Sequence, residues 1–185
     1  MWVIVLIGSL SCKSDLPPTE LIQVPIDNLY VIHIPDNLQP GYDMHDYASL
    51  QYYNSSEGFY ILGIEDAKEN LGDIKRKRLK LKGYYAFVEN TVSNPVDTLS
   101  RESLQYFTNA EGLSVRIGDY YANSQAWNWD PLFYRIAVYE SPEYFFQLVM
   151  WMPYGPHCDR VAVLDSIVYS FKFLTSSTEE TAGLR

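Results

Sequence analysis

The sequence is poor in thiols, in imidazoles and in positive charge. Its 185 residues include two cysteines, three histidines and 14 Lys or Arg against 23 Asp or Glu, a formal net charge of −9. Two cysteines, Cys12 and Cys158, rule out a disulfide-dense scaffold, so the fold must rest on its apolar core. An acidic surface is repelled by phosphate backbones, which argues against nucleic acid as a partner. No apolar run reaches the roughly twenty residues needed to span a bilayer. The patterns G-x-S-x-G, H-E-x-x-H, C-x-x-C and the phosphate-binding loop are all missing, so no familiar nucleophile, metal helix or phosphate cradle is legible. What is abundant is apolar and aromatic. Such residues make up 47% of the chain, with sixteen tyrosines, enough for one domain with a real core.

The chain begins MWVIVLIGSLSCKSDLPPTE. Its apolar stretch ends at Cys12, and Lys13, Asp15, Pro17 and Pro18 would stop any helix soon afterwards. A secretory h-region has this length and ends in small residues. "SLSC" resembles the lipobox of bacterial lipoproteins, in which the cysteine after a small residue is lipidated. The resemblance implies a signal peptide over residues 1–11, cleavage after Ser11, and a lipid anchor on Cys12. It leaves Cys158 without a bridging partner and expected to be inert. Residues 12–25 then form the lipidated cysteine and its tether, residues 26–174 one domain, and residues 175–185 a polar tail.

Within the domain the apolar periods alternate between two and about 3.6. LYVIHIP (29–35) reads as a strand, and residues 48–54 and 59–66 as a hairpin about the turn SSEG. Residues 79–93 change to helical spacing, with Leu81, Tyr84, Tyr85, Val88 and Val92 on one face, and Asn94–Pro95 ends them. Residues 96–112 carry no clear period. Residues 113–129 read as a long strand, bulged at Gly118. LFYRIAVYE and YFFQLVMWM (132–140 and 144–152) form the clearest hairpin, apolar on both faces and therefore expected inside a covered sheet. Residues 161–174 are helical, with Val161, Leu164, Ile167, Val168 and Phe171 on one face. The order predicts an α+β sandwich: one antiparallel sheet of about six strands, covered by helices on both faces.

YVIHIP, the pair LFYRIAVYE and YFFQLVMWMP, and the closing LDSIVYSFKF together resemble the PsbP-like fold. The resemblance implies a binding or assembly module that usually lacks catalysis, and no cofactor is expected. It carries over no functional residue.

Three features stand out as candidate sites. Lys75, Arg76, Lys77, Arg78, Lys80 and Lys82 gather six of the fourteen cations, which could meet anionic headgroups or an acidic partner, or simply offset nearby Glu65, Asp66, Glu69 and Asp73. Trp127 and Trp129 would point to one side of an extended chain and could stack on sugar rings, or could pack beneath a loop. The groups Asp43, His45, Asp46 and His157, Cys158, Asp159 lack the paired spacing of a metal site, so no metal is expected. His33 is expected to be structural. The sequence therefore predicts a lipid-anchored, noncatalytic interaction or assembly module of the bacterial cell envelope, on the outer membrane, bound to an unidentified envelope protein or glycan. A carbohydrate-binding lipoprotein is the alternative, and a hydrolase with an unrecognised carboxylate pair the third.

Overall fold

A computed structural model of the chain describes residues 20–71, 79–93, 98–123, 131–154 and 158–174. Strand β1 (Leu21–Ile26) turns into β2 (Tyr30–Pro35) through Asp27 and Asn28, both at positive φ, a region that Asp and Asn tolerate better than most residues. β1 takes in residues 21–25, which the sequence assigned to the tether. Val24 and Ile26 are buried while Ile22 and Gln23 are exposed, so the strand already has a core side.

β3 (Gln39–Pro40), β4 (Leu50–Asn54) and β5 (Phe59–Ala67) follow. A 3-10 turn (Lys68–Leu71) leads towards helix α1 (Leu81–Ser93). Then come β6 (Thr98–Thr108), β7 (Ser114–Asn123), β8 (Leu132–Glu140), β9 (Tyr144–Pro153), helix α2 (Cys158–Ser170) and β10 (Lys172–Phe173). Seven strands form one sheet in the order β3-β4-β5-β9-β8-β7-β6, and β1-β2-β10 form a second, smaller one. Every strand pairing among the described residues is antiparallel.

Two differences from the sequence reading have clear causes. In place of one sheet of about six strands there are two sheets. β2 pairs with β1 and β10 away from the main sheet, and β6 joins the main sheet although Arg101 and Glu102 hid it. Its register shifts between Arg101 and Ser103, so the apolar alternation breaks there. The bulge is thus in β6 and not at Gly118. Gly118 is needed for space: a Cβ there would lie 2.0 Å from Tyr85 Oη. The last helix also ends at Ser170, so that Lys172 and Phe173 can pair with Val31 and Tyr30 of β2.

Consecutive residues of β8 serve different cores. Ala137 and Tyr139 join Tyr30, Ile32, Phe146, Leu164, Ile167, Val168 and Phe171, contributed by the small sheet, β9 and the α2 region. Tyr139, Phe146, Phe171 and Tyr30 pack ring against ring there, with centroid separations from 4.1 Å upward. Ile136 and Val138 instead join Leu81, Tyr84, Tyr85 and Val88 of α1, with Tyr120 and Phe145. Deleting one large aromatic from either cluster would be expected to cost about 3–5 kcal/mol.

Candidate functional site

The α1 end of the molecule is fastened by polar contacts that consume its charged groups. Glu140 accepts a hydrogen bond from the Leu81 amide at 2.9 Å and from Lys68 Nζ at 2.8 Å, so β8 caps a helix whose own sequence offers only Lys80 at that position. Tyr84 donates to Asp66. Tyr85 and Tyr120 share a hydrogen bond of 2.6 Å, and Tyr120 donates to Glu89, which also accepts from Arg101. Burial holds the Tyr84 and Tyr85 hydroxyls well above the usual phenol range, and the Asp66 and Tyr120 hydrogen bonds add to this.

On the α2 side, Arg135 is 2% exposed and grips Asp119 bidentately, at 2.7 and 3.0 Å, while its remaining Nη reaches Asp165. Ser103 completes Asp119 at 2.9 Å. Every charge in this cluster has a partner, and together they join β6, β7, β8 and α2. Glu65 accepts from Ser49, which in turn meets the Tyr30 hydroxyl at 2.8 Å; burial raises the Glu65 carboxyl above its ordinary value.

A different arrangement crosses β4, β5, β9 and β8. The register places Tyr53 opposite Tyr60, Tyr60 opposite Trp151, and Trp151 opposite Tyr134. Ring centroids are 6.1, 5.1 and 6.1 Å apart, with interplanar angles of 12°, 7° and 20°. Strands lie about 4.8 Å apart. Rings that close and that parallel must stand up from the sheet, face to face. Their inner faces are spent on one another, so edges and hydroxyls are what the row chiefly presents. All four are partly exposed. Tyr53 ends the row beside Gly41, where a Cβ would lie 3.3 Å from its ring and 3.0 Å from Met44 Cε.

From that glycine the chain enters residues 42–48, a loop held by one side chain. Gln51 Oε1 accepts from the Met44 and His45 amides at 2.9 and 3.1 Å, and its Nε2 donates to the His45 and Ala48 carbonyls. The His45 Nδ1 accepts from the Tyr47 amide at 3.2 Å. The loop so fixed holds out Tyr42 and Tyr47, each 82% exposed, on either side of the exposed Asp43 and Asp46. Row and loop adjoin at Tyr53 and Gly41. Together they make a rigid, tyrosine-rich, acidic surface, suited to holding a partner by ring edges, hydroxyls and carboxylates.

Of the residues singled out by sequence, Cys12, Lys75, Arg76, Lys77, Arg78, Trp127, Trp129, His157 and the Cys158 side chain lie outside the described residues. Lys80 and Lys82 are exposed at the start of α1. His33 lies in β2, its amide donating to Ser170 Oγ at 2.8 Å. Among the described residues no three His, Cys, Asp or Glu side chains converge on a metal position, and no helix is long and apolar enough to cross a membrane. The tyrosine row went unread because Tyr60 and Trp151 meet only when β5 and β9 pair across the fold.

No protein-family model matches the chain, and no curated protein matches it by sequence. Solved structures do resemble it in fold. The Ran-binding protein Mog1p of Saccharomyces cerevisiae is 14% identical, with a TM-score of 0.58 over 86% of this chain and 98% of its own. The cyanobacterial PsbP of Synechocystis is 10% identical, with a TM-score of 0.61 over 90% and 99%. LpqN, involved in cell envelope biogenesis of Mycobacterium tuberculosis, is 8% identical, with a TM-score of 0.54 over 86% and 87%. The chain therefore has the PsbP-like fold, a mostly antiparallel sheet with two helices.

Proposed function

We propose that the chain is a noncatalytic interaction module of the bacterial cell envelope, tethered through lipid on Cys12, which docks a protein partner on the tyrosine row and its loop. One observation carries the docking role: four rings stand edge-outward on a sheet beside a pinned loop displaying two further tyrosines. Tyrosine supplies large contact area with little rotamer entropy to lose, and a pinned loop has lost its own freedom before binding. The structural neighbours support the class of role. One is named for binding Ran, and another for its part in envelope biogenesis. The short leader ending at Cys12 supports the tether.

A sugar ring stacks on an aromatic face, and the row's inner faces are already occupied by neighbouring rings. A protein partner therefore suits the row better than a glycan. Trp127 and Trp129 remain the place for a carbohydrate alternative. The cluster from Lys75 to Lys82 would add contact with anionic headgroups, at about 1 kcal/mol for each Lys or Arg near the surface.

The test is site-specific photocrosslinking in the native host, with the reactive side chain placed in turn at Tyr42, Tyr60 and Tyr169. A discrete adduct from the first two and none from Tyr169 is the expected outcome; equal labelling from all three would overturn the docking surface. Intact mass of the mature protein separately checks the tether. A diacylated Cys12 terminus supports it, and a retained Met1 refutes it.

A further inference from the structure

A sheet edge displays backbone donors and acceptors with no strand to meet them, and most proteins shield such edges by shortness, proline or charge. Among the described residues, three of the four edges follow that rule. β3 has two residues and ends in Pro40, β10 has two residues, and β1 carries Pro25. β6 does not. It has eleven residues, contains no proline, and has β7 as its one strand neighbour among the described residues.

Its charged part is also its irregular part. Arg101 pairs with Glu89, and the register shift falls between Arg101 and Ser103. Beyond the shift, residues 103–108 (SLQYFT) run in regular register from Ser103 opposite Asp119 to Thr108 opposite Ser114. This stretch has no charge, although the whole chain carries −9. It exposes Leu104 at 39% and Tyr106 at 64%, two residues apart and so on one face. On the other face Phe107 packs against Tyr169, with centroids 5.0 Å apart.

We propose that residues 103–107 of β6 pair antiparallel with the same residues of a second copy, joining two seven-stranded sheets edge to edge. The commitment to a second copy rests on charge and on register. Two molecules with the same large negative charge approach at least electrostatic cost along an uncharged stripe. A two-fold axis through Gln105 sets Leu104 of each copy opposite Tyr106 of the other, so both exposed apolar side chains are covered twice over. The same axis sets Ser103 opposite Phe107, and the paired segment ends there. No charge then meets a like charge, and the bulge stays outside the paired segment. Such a contact is isologous and closes at two copies, so it does not propagate into a fibre. This inference is independent of the tyrosine surface, which lies towards the opposite edge of the sheet.

The experiment uses the full chain in mild detergent. Sedimentation velocity is run on the parent, on a double-lysine variant (Leu104→Lys with Tyr106→Lys) and on a double-glutamate variant (Leu104→Glu with Tyr106→Glu). The parent should be dimeric, each variant monomeric, and an equimolar mixture of the two variants dimeric again, because every Lys then faces a Glu. Circular dichroism matching the parent establishes that both variants are folded. Reassembly of the mixture separates lost pairing from lost structure. A parent that stays monomeric at about 100 µM, where even weak interfaces associate, would overturn the proposal. So would variants that remain dimeric, or a mixture that remains monomeric.

Discussion

Replacing Gly118 by alanine tests whether the α1 core is as tightly closed as the geometry requires. The added Cβ would lie 2.0 Å from Tyr85 Oη, 2.8 Å from Tyr120 Oη and 2.9 Å from Tyr120 Cε2. Neither ring can swing away freely, since Tyr85 and Tyr120 are 1% exposed. Overpacking a filled core costs about 1–3 kcal/mol. Parting the 2.6 Å Tyr85–Tyr120 hydrogen bond adds a net loss of about 0.5–1.5 kcal/mol. The expected destabilisation is therefore about 2–4 kcal/mol, read as a fall in urea midpoint at unchanged slope. Tyr85→Phe alone should cost about 1 kcal/mol, because Tyr120 keeps its bond to Glu89. It also removes the atom that the new Cβ would strike. The double variant should be more stable than the summed single losses by about 1–2 kcal/mol. Rescue stays incomplete, because Tyr120 Oη remains within 2.8 Å. Additivity within about 0.5 kcal/mol would refute the proposed collision.

Glu140→Ala should cost about 1–3 kcal/mol, through loss of the α1 cap and of the Lys68 pair; Glu140→Gln should cost less, and amide exchange should quicken first at Leu81 and its neighbours. Burial raises the folded Glu65 pKa above its unfolded value, so the folded state binds more protons and stability falls as pH rises through that interval. Glu65→Gln should therefore exceed the parent in stability near neutral pH and converge with it below about pH 4, as thermal melts across pH would show. The buried hydroxyls of Tyr30, Tyr84 and Tyr85 are likewise held up by burial, so stability should decline above about pH 10, with their absorbance at alkaline pH rising together with unfolding.

How much could be read in advance depends on whether the controlling contacts are local. The two hairpins were legible because each has its own turn between two β-rich runs, and their registers already put Tyr53 opposite Tyr60 and Tyr134 opposite Trp151. The middle contact of the row, Tyr60 with Trp151, depends on β5 meeting β9, which no local signal sets. Helix α1 was visible from Leu81, Tyr84, Tyr85 and Val88, but its cap was not, since Glu140 lies 59 residues further on. Arg135 sat in an apolar run without explanation until Asp119 and Asp165 met it from β7 and α2. The pinned loop is the reverse case. Its aspartates and His45 were noticed for their ligand chemistry, whereas its role follows from Gln51 behind it and from the two tyrosines it exposes.

The small sheet draws together the two extremes of the described chain. β2 lies between β1 and β10, Ser170 meets the His33 amide, and the Leu174 amide donates to the Leu29 carbonyl. Closure of that layer therefore waits for the last residues to be delivered. A polypeptide threaded through a translocation pore amino end first would keep Tyr30, Ile32 and Ile34 uncovered until release, which favours completed folding on the far side of the pore.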